Sequence, residues 1–404
     1  MDTELAQGLA AQSKLPDVGT TIFTQMSALA SAEGALNLSQ GFPDFDGPKA
    51  LLERVQYYLT HGHNQYAPMT GVASLRREIA GKVQDLYGLR VDAEQEVTVT
   101  SGATEALFCA ISAVVRSGDE VVLFDPAYDS YAPVVRLCGG VARHVPMLGP
   151  DFCIDWDRVA DVITDRTRLI ITNSPHNPTG SVWAASDIDA LRTLVQSRPI
   201  FLVADEVYEH ICFDGEPHLS LCRFPDLWQR SFVVSSFGKT YHTTGWKIGY
   251  CVAPAELTHE FRKIHQFNTF TSITPVQLAL ADFLREHPEH HLELADFYQA
   301  KRDLFCSLLD RSRFSFTPTA GTYFQLLQYG AVSEEPDVAL AQRLTREAKL
   351  ASIPISVFYS SNSGNSDAAT SVLEQSVRRQ RYLRFCFAKD DETLARAAEI
   401  LCAL

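Results

Sequence analysis

A lysine, an aspartate and an arginine, each at or within a short apolar run, form the most chemically suggestive set in this chain. Lys239 follows the run Ser231–Ser235, Asp205 follows Ile200–Ala204, and Arg384 lies inside Tyr382–Phe387. A desolvated lysine amine is a nucleophile and a base. A buried carboxylate can stand against a cation. An arginine presents a planar fork suited to a carboxylate. Around them, other runs end in Ser101-Gly102-Ala103-Thr104, in Asp125-Pro126-Ala127-Tyr128 and in Asn173-Ser174-Pro175-His176-Asn177. They add a turn opening a helix, where backbone N–H groups can cradle a phosphate, an aromatic ring and an amide. Tyr208, three residues past Asp205, adds a phenol. Singly, each has a blander reading. Lys239 could be a surface lysine, Asp205 a helix N-cap, Asn177 a turn former before Pro178 and Arg384 half of a structural ion pair.

The elements that must position these residues follow from the pattern. Glu96–Thr100, Val121–Phe124, Leu169–Thr172, Ile200–Ala204, Ser231–Ser235 and Ile248–Val252 are short β-rich runs. Helical patterns such as Glu105–Arg116 and Ala185–Gln196 lie between several of them. Near-continuous apolar strands alternating with helices predict an α/β fold, a mostly parallel sheet covered by helices on both faces. In such sheets ligands bind beyond the carboxyl ends of the strands, where the residues above lie. From Pro288 onward the pattern changes to a long charged amphipathic stretch, strand candidates at Thr322–Leu327 and Tyr382–Phe387, and a final helix. This predicts a second, smaller α+β domain. The expected division is an N-terminal arm with part of the small domain over 1–45, a large domain over 46–285 and a small C-terminal domain over 286–404.

Composition narrows the function classes. The chain has 404 residues, enough for two domains, and a formal net charge of −14. That acidity argues against a sequence-independent hold on nucleic acid and against anionic membrane. The longest apolar stretch without a charge, around Ala106–Val115, is far short of the roughly 20 residues of a membrane helix. Met1-Asp2-Thr3-Glu4 lacks the basic start of a signal peptide. The nine cysteines are scattered without a C-x-x-C pair and read as buried free thiols in a reducing cytosol. His287, His290 and His291 beside Pro288 read as a solvated helix start rather than a metal site. Asp2–Gln12 is weakly patterned. Ser360–Ala369 reads as a flexible surface loop, and the region through Arg381 as an insertion without an assignable role.

The strand-end set suits pyridoxal phosphate. Its aldehyde needs a lysine amine, its ring nitrogen a carboxylate, its phenolic oxygen hydrogen-bond donors, its ring an aromatic face and its phosphate a helix N-terminus with a hydroxyl and a cation. The chain also resembles the fold-type I aminotransferases of class I and II over nearly its whole length. Within them it resembles the kynurenine aminotransferase and glutamine transaminase K branch, including bacterial methionine aminotransferases. The resemblance is carried by Asn37-Leu38-Ser39-Gln40-Gly41-Phe42-Pro43-Asp44-Phe45, Asn64-Gln65-Tyr66-Ala67-Pro68-Met69-Thr70-Gly71 and Asn173-Ser174-Pro175-His176-Asn177-Pro178-Thr179-Gly180. Further matches are Asp205-Glu206-Val207-Tyr208-Glu209-His210, Ser236-Phe237-Gly238-Lys239, Thr244-Gly245-Trp246-Lys247 and Arg384-Phe385-Cys386-Phe387.

The resemblance implies roles. Lys239 would hold the cofactor and carry a proton, Asp205 would pair with the ring nitrogen, and Asn177 and Tyr208 would bond its phenolic oxygen. Tyr128 would stack on the ring, while Ala103, Thr104, Ser236 and Lys247 would hold the phosphate. Tyr66 would reach the phosphate in a partner subunit. Arg384 would clamp the substrate carboxylate with Asn177 and the backbone of Gly41. Phe23, Tyr66 and the partner's Phe270 would line the side-chain pocket. The implied protein is a cytoplasmic homodimer with shared active sites. It would pass the amino group of methionine, or another large apolar or aromatic L-amino acid, to a 2-oxo acid by a ping-pong route. The neighbouring alternative is a kynurenine or glutamine aminotransferase with cysteine-conjugate β-lyase activity. A remote one is a non-catalytic aminotransferase-like sensor domain, disfavoured because only about 40 non-basic residues precede Gly41, few for a separate DNA-binding domain.

Overall fold

The computed structural model describes residues 13–147, 149–360 and 380–404. Its strands, in chain order, are β1 Leu36–Asn37, β2 Val97–Thr100, β3 Glu120–Asp125, β4 Val141–Pro146, β5 Thr167–Asn173 and β6 Phe201–Asp205. They continue as β7 Ser231–Ser236, β8 Gly249–Val252, β9 Phe324–Gln328, β10 Leu350–Ala351, β11 Ile353–Pro354 and β12 Tyr382–Cys386. Seven of them form one sheet in the order β2-β8-β7-β6-β5-β3-β4. All pairings are parallel except those of β8 with its two neighbours.

Burial on both faces explains why these runs are apolar throughout. On β3, Val121 and Leu123 belong to one core cluster, while Val122 and Phe124 belong to the other. Successive side chains point to opposite faces, so each face buries its own layer beneath helices such as Gly102–Val114 and Ala185–Val195. Register then levels the strand ends. Asn173 of β5 stands opposite Asp205 of β6, and Ser236 of β7 opposite Gly249 of β8.

The six strand runs expected from sequence are all strands, but β4 was not among them. It carries Arg143 and His144 and ends in Pro146, which reads poorly as a strand. It is an edge strand, where proline is tolerated. Its polar side chains are satisfied by carboxylates of β3, Arg143 by Glu120 at 2.6 Å and His144 by Asp125 at 2.8 Å.

The smaller sheet has the order β11-β12-β9 and is antiparallel. β1 pairs parallel with β10, tying the chain's beginning to its last third. Arg384 sits in the middle strand of this sheet, opposite Leu326 on one side and Ile353 on the other. Asp2–Gln12 and most of the Ser360–Arg381 region lie outside the described residues. Among those described, no helix is long and apolar enough to cross a membrane. Six cysteines are buried, but Cys153 is exposed and Cys138 and Cys402 are partly so, which corrects the expectation of uniformly buried thiols.

Candidate active site

The carboxyl ends of β5, β6 and β7 and the start of the helix Gly102–Val114 open into one cleft of about 710 Å³. Its lining includes Ala103, Thr104, Tyr128, Asn177, Asp205, Tyr208, Ser236, Lys239 and Lys247. Nine residues spread over more than 140 positions of sequence are thus gathered by strand register.

Asp205 lies at the floor. Its Oδ2 accepts from the Tyr131 hydroxyl at 2.6 Å and its Oδ1 from the Val207 N–H at 3.3 Å. Burial pushes its carboxyl up to about 6 despite these donors. A cation beside it would restore the ionised form. Asn173 braces the floor: its Nδ2 donates to the Asp205 carbonyl at 2.8 Å, and its Oδ1 accepts from the Asn177 N–H at 2.9 Å. Lys239 rises from the short helix Phe237–Thr240 that directly follows β7. Burial lowers its ammonium from the usual 10.5 to about 8, and the nearby charges of Lys247 and Arg384 push the same way. A fair fraction of this amine is therefore neutral and nucleophilic near neutral pH.

The helix Gly102–Val114 begins with Gly102 at φ +77°. Its first N–H groups have no carbonyl partner within the helix and face an anion readily. Lys247, itself at φ +54°, brings its Nζ against Gly102, so a Cβ added there would lie 3.4 Å from it. Gly249 allows the close packing, since a Cβ there would lie 2.9 Å from the Ala103 nitrogen. Glu105 fixes the first turn from behind. Its Oε2 accepts from the Ser101 N–H at 3.2 Å, and its Oε1 from Cys109 at 2.9 Å and His265 Nδ1 at 2.8 Å. These three ligand-type side chains lie together, but hydrogen bonds among them already engage the carboxylate.

Arg384 is 1% exposed. Its Nη1 donates to Asn177 Oδ1 at 2.6 Å and its Nη2 to the Ser39 carbonyl at 2.9 Å. The guanidinium stacks on Phe324 at 3.8 Å, with Phe23 at 5.3 Å and Phe358 at 5.7 Å. Its Nε–H is buried without a partner among the described residues. Such an orphan is costly, and a carboxylate is the natural acceptor for it. Gly41 lies beside this clamp, with a Cβ position only 2.7 Å from Phe324. Gln40 ties the same strap to the helix Ile22–Glu33 through the Phe23 carbonyl at 2.7 Å and Ser27 at 2.6 Å.

Tyr66 and Phe270 are not in the cleft of their own chain. They meet edge-on at 5.7 Å on the surface, 85% and 43% exposed. The three histidines divide. His287 is exposed and pairs with Glu289 at 3.0 Å, but His291 is buried against His210 at 5.0 Å, and His290 packs over Tyr241. The solvated reading therefore holds for His287 alone. Sequence reasoning did not single out Tyr131, Asn173 or Tyr323, all of which touch the residues above. Asn173 stands at a strand end and was findable. Tyr131 and Tyr323 carry no local signal.

The family model "Aminotransferase class I and II" matches residues 33–401. The methionine aminotransferase of Escherichia coli (strain K12) is 52% identical over 97% of this chain and 98% of its own length. A solved structure from Escherichia coli, described as identifying a methionine aminotransferase function, superposes with a TM-score of 0.91 over 97% of this chain and 99% of that one, at 52% identity. The kynurenine–oxoglutarate transaminase of Dictyostelium discoideum is 31% identical over 96% of this chain and 94% of its length.

Proposed function

The chain belongs to the class I and II aminotransferases and is an enzyme of amino-group transfer; from that premise we propose that its amino donor is methionine or another large apolar or aromatic L-amino acid. Enzymes of this family use pyridoxal phosphate, and the cleft suits that cofactor by its donor set: an amine, a buried carboxylate, an open helix N-terminus with a cation, and an aromatic ring. When bound, the cofactor supplies an aldehyde that takes up the amino group and a ring that accepts the electron pair from Cα. Lys239 would hold it covalently and then carry the Cα proton. Asp205 would stand as an anion against the ring nitrogen, with Tyr131 fixing its carboxylate. Asn177 and Tyr208 would bond the phenolic oxygen, and Tyr128 would cover the ring. The N–H groups of Ala103 and Thr104, with Ser236 and Lys247, would bind the phosphate. Arg384 would clamp the substrate carboxylate, helped by Asn177 and the Gly41 strap.

The observation that carries the reading is the convergence of Lys239, Asp205 and the helix start at Gly102 on one cleft. The higher identity to a methionine aminotransferase and the apolar rings around Arg384 support the donor class. The kynurenine reading is less favoured, because its relatives are more distant. Selectivity among apolar donors should be modest, since a methylene is worth about 1–3 kcal/mol. We also propose a cytoplasmic homodimer. Tyr66 and Phe270, exposed together on one chain, would complete the partner's site. The division into 1–45, 46–285 and 286–404 is supported by the separate sheets and by the pairing of β1 with β10. The test is a screen of the twenty amino acids against several 2-oxo acids, with Lys239→Ala as control. Methionine and aromatic donors should lead, and the variant should lose turnover. Normal transamination by Lys239→Ala would sink the mechanism.

A further inference from the structure

Lys239 Nζ donates to two oxygens of its own chain, the Gly41 carbonyl at 3.0 Å and the Tyr323 hydroxyl at 2.9 Å. The Tyr323 hydroxyl gives its single proton to the same carbonyl at 2.6 Å. Toward Lys239 it is therefore an acceptor, and the three groups close a triangle. The hydroxyl cannot wander. Tyr323 has no exposed surface, and its ring packs against Phe324 at 5.0 Å, Tyr208 at 5.2 Å and Tyr298 at 5.5 Å. The residue before it, Thr322, is β-branched yet sits at φ +64°. That conformation is unfavourable for such a side chain, and strain of this kind gathers where a neighbour must be aimed.

We propose that Tyr323 is a positioning residue for Lys239: with the Gly41 carbonyl, it holds the amine whenever the lysine is not covalently engaged. A neutral amine has two N–H groups, and both are committed to these oxygens. Its lone pair is then the one free position, able to accept the substrate proton. In the ammonium form, the third N–H is the one free to return it. Gly41 lies two residues from Ser39, whose carbonyl holds Arg384. The proton carrier and the carboxylate clamp therefore share one strap. The proposal rests on the reading of Lys239 as the reacting lysine, which Lys239→Ala tests separately.

The groups facing the Lys239 amine are Asp205, Lys247, Arg384, Cys386 and the phenols of Tyr208 and Tyr323. Of these, the Tyr323 hydroxyl is the acceptor in direct contact, and an acceptor favours the charged amine. Tyr323→Phe should therefore lower the pH midpoint of Lys239 acylation in the cofactor-free protein. The midpoint is read by mass spectrometry of the labelled peptide, and a fall of about half a pH unit or more is expected. In the loaded enzyme, kcat should fall about tenfold with a larger isotope effect from 2-deuterated donor, while KM stays within about threefold. A purely packing role would not move the midpoint. If Tyr323→Phe does not fold, 4-fluorophenylalanine at 323 fills the hydroxyl's volume without accepting well, and should give the same fall. An unmoved midpoint in the folded variant overturns the proposal whatever happens to kcat.

Discussion

Arg384→Lys isolates the carboxylate clamp. In the structure the guanidinium spends Nη1 on Asn177 Oδ1 and Nη2 on the Ser39 carbonyl, and keeps a buried Nε–H unpartnered. A lysine brings one nitrogen to this place. It cannot satisfy Asn177, Ser39 and a substrate carboxylate with the arginine's fixed planar geometry. It also loses the flat stack on Phe324 at 3.8 Å. Losing one charge-assisted hydrogen bond to substrate costs about 2–3 kcal/mol, so kcat/KM should fall roughly 30- to 150-fold. Amino acid and 2-oxo acid share the carboxylate, so both half-reactions should suffer alike. Methionine and phenylalanine should too, because the loss is remote from the side chain. Covalent capture of the cofactor should be normal. The assay is single-turnover kinetics with each donor and its oxo acid, followed by cofactor absorbance. A fall below about fivefold, or one confined to a single side-chain class, would refute the clamp and move Arg384 into the side-chain pocket.

Asp205→Ala should retain some cofactor yet lose kcat by at least about a hundredfold, since the anion beside the ring nitrogen is gone; unchanged kcat in a cofactor-loaded variant would count against its role. The rate of covalent cofactor capture by cofactor-free protein should rise with pH to a midpoint near 8, the value to which burial lowers Lys239. The neutral form reacts, so the rate increases as pH rises through that value. About one amine in ten is then neutral at pH 7, against about one in three thousand for an ordinary lysine; a rate still climbing tenfold per unit at pH 10 would contradict the lowered value. Mixing Tyr66→Ala with Lys239→Ala chains should restore part of the activity if Tyr66 serves the partner's site, because mixed dimers hold one site with both residues intact. Full activity in a demonstrated monomer would exclude shared sites.

The alternation of apolar strands with helices, and the residues following those strands, were legible in the sequence because both are local. An apolar run buried on two faces and the turn that ends it need only neighbouring residues to be recognised. Lys239, Asp205, Asn177 and the Ser101–Thr104 turn could therefore be picked out before any contact was known, and the motifs around them carried the family. What surrounds each of them could not. Tyr131 reaches Asp205 across 74 positions, and Tyr323 meets Lys239 across 84 and Gly41 across 282. A buried tyrosine in sequence looks the same whether its hydroxyl faces a carboxylate, an amine or another ring. The edge strand β4 hid behind polar side chains whose partners lie on β3, and His291 looked solvated until the fold set it against His210. Residue types and their order determined which chemistry the chain could support. Only the packing of sheet ends, strap and small sheet decided which atoms meet, because hydrogen-bond geometry depends on distances that many separate segments set together.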